Sequence, residues 1–160
     1  MKKIILLCFL FFSQLVSADA YVIMGHTGEF ENSFITHQDE NSTDSLYVLG
    51  LRGVNTDESS KYFGKIGLSI DYGFGQYAHR NFNENQSNQM FSLGIVAPFS
   101  YGIYSNIGFS VVESKVSDEW FSRKGYVLGI GKIFDNRFLM ESNYNAAIKT
   151  FSFEVGYRFF

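Results

Sequence analysis

Three histidines, His26, His37 and His79, are the side chains of this sequence best suited to general acid–base work near neutral pH. A serine hydrolase needs a serine and a carboxylate converging on such a base. Ser33 and Asp39 flank His37, Arg80 follows His79, and His26 lies in or near an apolar segment. The segments around His37 and His79 are so rich in Ser, Asn, Asp and Glu that such neighbours arise without catalysis, so no catalytic centre is expected. Three scattered histidines and a single cysteine, Cys8, give no transition-metal spacing. Asp39, Glu40 and Asp44 read as a solvated acidic loop, and the glycines follow a strand period instead of a phosphate-binding loop, so neither metal nor cofactor is expected. Six other charges stand out because they fall on the inward, polar phase of alternating segments: Arg52, Lys65, Asp71, Glu141, Glu154 and Arg158.

Those segments must position the charges. Over 62–76, Tyr62, Ile66, Leu68, Ile70, Tyr72 and Phe74 alternate with a face holding Lys65, Gly67, Ser69, Asp71, Gly73 and Gly75. Strict alternation predicts a strand with one apolar and one polar face. The pattern recurs over 101–111, 123–133 and 151–159, and in shorter form over 46–53, 90–97 and 137–145. Residues 21–30 form a further strand with ambiguous faces. Eight strands result, joined alternately by long polar connections (31–45, 76–89 and 114–122) and by shorter ones, including tight turns at Ala97 to Ser100 and Asp135-Asn136. Pro98, the only proline, falls in one of these turns.

The first twenty residues differ. Lys2 and Lys3 precede an apolar run from Ile4 to Phe12, and small residues follow at Val16-Ser17-Ala18 and Ala18-Asp19-Ala20. This is the grammar of a secretory signal peptide, 1–20, cleaved after Ala18 or Ala20, with 21–160 as one domain. Cleavage after Ala20 leaves 11 basic against 15 acidic side chains, which offers no basic surface for nucleic acid. It also removes Cys8, so no disulfide can stabilise the exported domain.

Hydrophobic residues make up 46% of the chain, yet the mean hydropathy is −0.04, which disfavours helical membrane spans. An eight-stranded barrel resolves the conflict if its apolar face meets lipid and its glycine-bearing face fills the narrow interior. A soluble cup would have the opposite polarity. The expected fold is therefore an all-β, eight-stranded, antiparallel up-and-down transmembrane barrel. The six charges pair within the lumen, because buried charges are tolerated only in pairs. Tyr62, Tyr72, Tyr101, Tyr126, Tyr144 and Tyr157 lie toward strand ends, at the bilayer interfaces. Lys132 shares the apolar face of its strand but sits at the turn end, where its amine can snorkel out of the hydrocarbon.

With its Gly-rich alternating strands and its Tyr157-Arg158-Phe159 ending, the exported chain resembles the small outer-membrane barrels of the outer membrane protein A-like, OmpX and opacity-protein group. Phe160 adds one residue beyond the usual final aromatic. The resemblance implies an outer-membrane location, with lipids and lipopolysaccharide around the barrel. It implies insertion by the barrel assembly machinery, which would read Tyr157, Phe159 and Phe160. It also implies a monomer with both termini and the tight turns facing the periplasm. The expected role is structural or interactive at the cell surface, without catalysis and without general porin activity. Trp120 and Phe121, apolar in a polar stretch, are the candidates for contact with a host or envelope surface. The alternative is a lipid A-modifying enzyme: Glu141-Ser142-Asn143-Tyr144-Asn145-Ala146 is similar to a His-x-Ser-Asn-Ala element of the lipid A deacylases, but with Glu141 or Met140 where histidine belongs.

Overall fold

The computed structural model describes residues 19–31, 43–54, 66–78, 85–99, 101–116, 119–135 and 137–159. They form ten strands: β1 (Asp19–Thr27), β2 (Phe30–Glu31), β3 (Thr43–Asp44), β4 (Tyr47–Val54), β5 (Gly67–Ala78), β6 (Asn85–Pro98), β7 (Ile103–Val116), β8 (Glu119–Phe134), β9 (Phe138–Asn145) and β10 (Thr150–Arg158). Eight close into one antiparallel barrel in the order β1-β10-β9-β8-β7-β6-β5-β4, and β2 pairs with β3 in a two-residue ribbon apart from it. β1 bonds to β10 on one side and β4 on the other, so the sheet has no open edge. In hydrocarbon that closure is obligatory, because an unpaired backbone group there has no water to bond.

Period-two alternation sorts the side chains as expected. Ile70, Tyr72 and Phe74 on β5, Tyr126, Leu128 and Ile130 on β8, and Phe151, Phe153, Val155 and Tyr157 on β10 are all exposed on the outer face. The glycine-bearing face points inward. With a wide apolar exterior and a filled interior, the protein is a transmembrane barrel. In β1 the ambiguity resolves as Tyr21, Ile23 and Thr27 inward and Val22, Met24 and His26 outward.

The interior is layered, which explains why β1 looked apolar on both sides. Tyr21, Ile23, Val54, Val96, Tyr104, Ile133 and Leu139 pack into a buried plug at the end that carries residues 19 and 159. Leu46, Val48, Met90, Val112, Ala147 and Ile148 form a second plug toward the opposite end. The polar layer lies between them. Gly131 is needed here by its neighbour, since the Tyr104 ring crosses its backbone and a Cβ at 131 would come within 2.7 Å of Tyr104 Cε1.

Several connections differ from expectation; in 76–89, β5 runs on to Ala78 and β6 begins at Asn85, with Gln76 paired to Ser87. Tyr101 and Gly102 do not begin a strand; they form the turn, with φ of 58° and 74°, and Phe99 N–H bonds the Ile103 carbonyl at 2.7 Å. Pro98 is accordingly the last residue of β6, a terminal position where its missing N–H costs little. The stretch 114–122 is mostly strand, with Ser114 paired to Phe121 and Lys115 to Trp120. Polar composition suggested a loop, but a hairpin that projects beyond the apolar band needs no apolar row. The turn at 135–137 is as tight as expected, with Asp135 at φ 50° and Arg137 N–H bonded to the Phe134 carbonyl at 3.0 Å.

Substituting Gly131→Val should destabilise the barrel by about 1–3 kcal/mol, the usual cost of overpacking a filled interior. Urea unfolding of the protein refolded in lipid vesicles measures this, and Leu128→Val, on the exposed outer face, is the comparison.

Candidate functional site

The polar layer is organised around one guanidinium. Arg52 on β4 points inward with its side chain fully buried. Its Nε and Nη2 donate to Glu141 Oε2 and Oε1 at 2.9 and 2.8 Å, a bidentate pair from β9. Nη2 also donates to Glu154 Oε2 on β10 at 2.8 Å, and Nη1 donates to Asp71 Oδ1 on β5 and to the Leu51 carbonyl. One cation thus ties together strands up to 102 residues apart in sequence.

Among the described residues, three carboxylates stand around one guanidinium, and neutral donors complete them. Tyr104 O–H donates to Glu141 Oε2 at 2.6 Å, and the Asn106 and Asn143 amides donate to Glu141 Oε1 at 2.9 and 2.6 Å. Glu154 Oε1 accepts from Ser152 Oγ at 2.7 Å and from Asn143 Nδ2 at 3.1 Å. Ser69 Oγ donates to Asn106 Oδ1, fixing which edge of that amide faces the carboxylate. The layer is therefore nearly saturated with hydrogen bonds, as a buried polar network must be to be stable.

Of the six charges predicted for the lumen, Arg52, Asp71, Glu141 and Glu154 meet in this network. Arg158 does not: at the barrel end it pairs with Asp19 at 3.2 Å and is partly exposed. The expected balance of three positive and three negative charges is therefore absent from the network, since the inward phase at the last residue of β10 opens toward the rim. Lys65 lies outside the described residues. Tyr104, Asn106, Asn143 and Ser152 were missed as network members; Tyr104 and Asn106 sat in the inward phase of their segment, which was the available signal.

The remaining candidates are dispersed. His26 is on the outer face, its ring centroid 5.0 Å from that of Tyr47, and among the described residues no hydrogen bond joins it to a serine or carboxylate. His37 and His79 lie outside the described residues. Glu141, in the segment similar to the deacylase element, is held by Arg52, while Ser142 faces outward. Among the described residues no group of His, Cys, Asp and Glu is placed to hold a metal ion. Trp120 and Phe121, as consecutive residues of β8, point to opposite faces: Trp120 is exposed, whereas Phe121 turns with Arg123 toward the inner side. Tyr157 and Phe159 are exposed on the outer wall, with the Tyr157 ring 5.2 Å from that of Phe138; Phe160 lies outside the described residues. At the other rim Tyr144 packs 5.1 Å from Phe151 and 6.5 Å from Tyr126. The rings form girdles at both ends of the apolar band.

A closed wall, aromatic girdles and a plugged, ion-paired lumen together decide the architecture. The fold is that of a small outer-membrane barrel. No family model matches the sequence, and no curated protein matches it. Solved structures do. The crystal structure of Ail, the attachment invasion locus protein of Yersinia pestis, is 13% identical, with 89% of this chain and 99% of that chain covered and a TM-score of 0.52. The backbone structure of Ail in a phospholipid bilayer nanodisc is 10% identical over the same shares, with a TM-score of 0.60. Ail in complex with the heparin analogue sucrose octasulfate is 14% identical over the same shares, with a TM-score of 0.56. At such identities the likeness is one of fold.

Arg52→Ala strands three buried carboxylates and should cost about 3–5 kcal/mol of stability, the range for removing one partner of a buried ion pair. The readout is the urea midpoint of the refolded barrel. Ser110→Ala, which removes one of the two acceptors of Asn145 Nδ2, should cost less, about 0.5–1.5 kcal/mol.

Proposed function

We propose that this protein is a monomeric outer-membrane barrel that acts through its outer rim, binding an anionic glycan on a host or envelope surface, without catalysis or general pore activity. The observation that carries this reading is the doubly plugged lumen. With the interior occupied by side chains, function is left to the outside. Among the described residues, the β7–β8 hairpin projects on that side, opposite the end bearing residues 19 and 159. On the outward face it carries Lys115 and Lys124 beside Trp120, with Glu113, while Arg123 turns to the other face. Aromatic and cationic groups side by side suit a sulfated or phosphorylated sugar. That Ail has been crystallised with a heparin analogue supports the choice of ligand class.

The same reading covers biogenesis. Residues 1–18 are removed on export, and the aromatic ending Tyr157, Phe159 and Phe160 is read by the barrel assembly machinery. Cleavage after Ala18, in place of Ala20, is favoured by the first strand. Asp19 pairs with Arg158, and the Ala20 carbonyl accepts from Phe159 N–H at 3.1 Å.

Trp120→Ala combined with Lys124→Ala should weaken retention of outer-membrane vesicles on immobilised heparin several-fold, with the effect shrinking as salt rises. Unchanged retention would remove the hairpin from the binding surface. Intact-mass measurement of the purified protein should give a chain beginning at Asp19. In planar bilayers it should add no conductance steps; stable steps would mean that the plugs open.

A further inference from the structure

The lipid-facing wall carries an apolar groove of about 850 Å³, and the strand register explains its course. One bank is a row of outward side chains in cross-strand register: Lys132 on β8, Met140 on β9, Val155 on β10 and Met24 on β1. The other bank is the next outward row, Ile130, Ser142, Phe153 and His26. Between them, backbone of the inward-facing Gly131, Glu141, Glu154 and Gly25 forms the floor. Outward rows two residues apart are separated by about 7 Å. At Ser142 the second bank drops from a large apolar side chain to a hydroxymethyl group, which widens the groove between Phe153 and Ile130.

Because strands of such barrels tilt by about 35–45°, the rows climb across the wall. Lys132 lies two residues before the end of β8, at the barrel end bearing residues 19 and 159. Tyr47, on the same row as His26, is the first residue of β4, at the opposite end. The groove therefore begins at an interface and rises into the hydrocarbon. At its lower mouth stands a cation. Lys132 Nζ is 5.3 Å from the centroid of the Phe134 ring, which draws the amine toward the rim, and among the described residues no carboxylate pairs with it. Taking about 30 Å³ for each methylene-sized group, as for water, the space suits the acyl chains of one lipid better than a small apolar molecule.

We propose that this groove is a binding site for an anionic diacyl phospholipid, whose phosphate sits on Lys132 and whose acyl chain climbs past Met140 and Ser142. Charge complementarity selects this occupant, because an ammonium at the mouth of an apolar channel rewards a negative headgroup over a zwitterionic one. The inference rests on the barrel and its lipid face, and is independent of any ligand at the outer rim.

The test is refolding into vesicles that contain trace spin-labelled phosphatidylglycerol or phosphatidylcholine with identical acyl chains, comparing the motionally restricted fraction of each. The native protein should favour phosphatidylglycerol by about fivefold, the preference that one lysine near an anionic surface supplies. Lys132→Gln should abolish that preference, and Lys132→Arg should keep it. Ser142→Phe, which fills the groove, should lower association of both lipids while leaving their ratio closer to native. Folding of each variant is checked by its heat-dependent gel mobility. Equal restriction of the two lipids by the native protein overturns the proposal, as does a preference that survives Lys132→Gln. Association unaltered by Ser142→Phe overturns the groove as the acyl site.

Discussion

The buried guanidinium of Arg52 is the constraint around which the rest is arranged. A charge in the middle of a membrane-spanning barrel cannot borrow solvation from water or lipid, so it must be surrounded by acceptors fixed on other strands. Glu141, Glu154 and Asp71 supply them from three strands. Each carboxylate that joins brings a solvation need of its own, met in turn by Tyr104, Asn106, Asn143 and Ser152. The network dictates small residues nearby: Gly131 lies under the Tyr104 ring, and a side chain there would push away the phenol that completes Glu141.

The two plugs give that network its dry setting. Apolar packing on both sides keeps competing water from the ion pairs and makes each hydrogen bond count for more. It also sets buried apolar side chains in the lumen on either side of the polar layer. What such a protein offers to other molecules is its rims and its lipid-facing wall.

Most of the barrel was legible in the sequence because a strand that meets lipid on one side and a narrow lumen on the other leaves a period of two. The pattern failed where that contrast fails. β1 reads as apolar on both sides because Tyr21 and Ile23 belong to a plug. The β7–β8 hairpin reads as loop because beyond the bilayer neither face must be apolar. Phase alone placed Arg52, Asp71, Glu141 and Glu154 in the lumen, but it carries no height along the axis. Arg158, in the same phase, reaches the rim and pairs with Asp19 instead. Charge counting likewise could not show that phenol and amide donors would complete the carboxylates.

The sequence separation of Arg52's partners has a consequence for how the molecule reaches its membrane. Arg52 lies on the second strand of the wall to be synthesised, while Glu141 and Glu154 belong to the last two. An insertion route that delivered strands to lipid one by one would carry Arg52 into hydrocarbon with Asp71 alone of its three carboxylates until β9 and β10 arrived. The chain is therefore suited to entering nearly complete, with the seam between β1 and β10 sealing as the guanidinium acquires its last carboxylate. Completion of the ion-paired network and closure of the wall then coincide on the same strand.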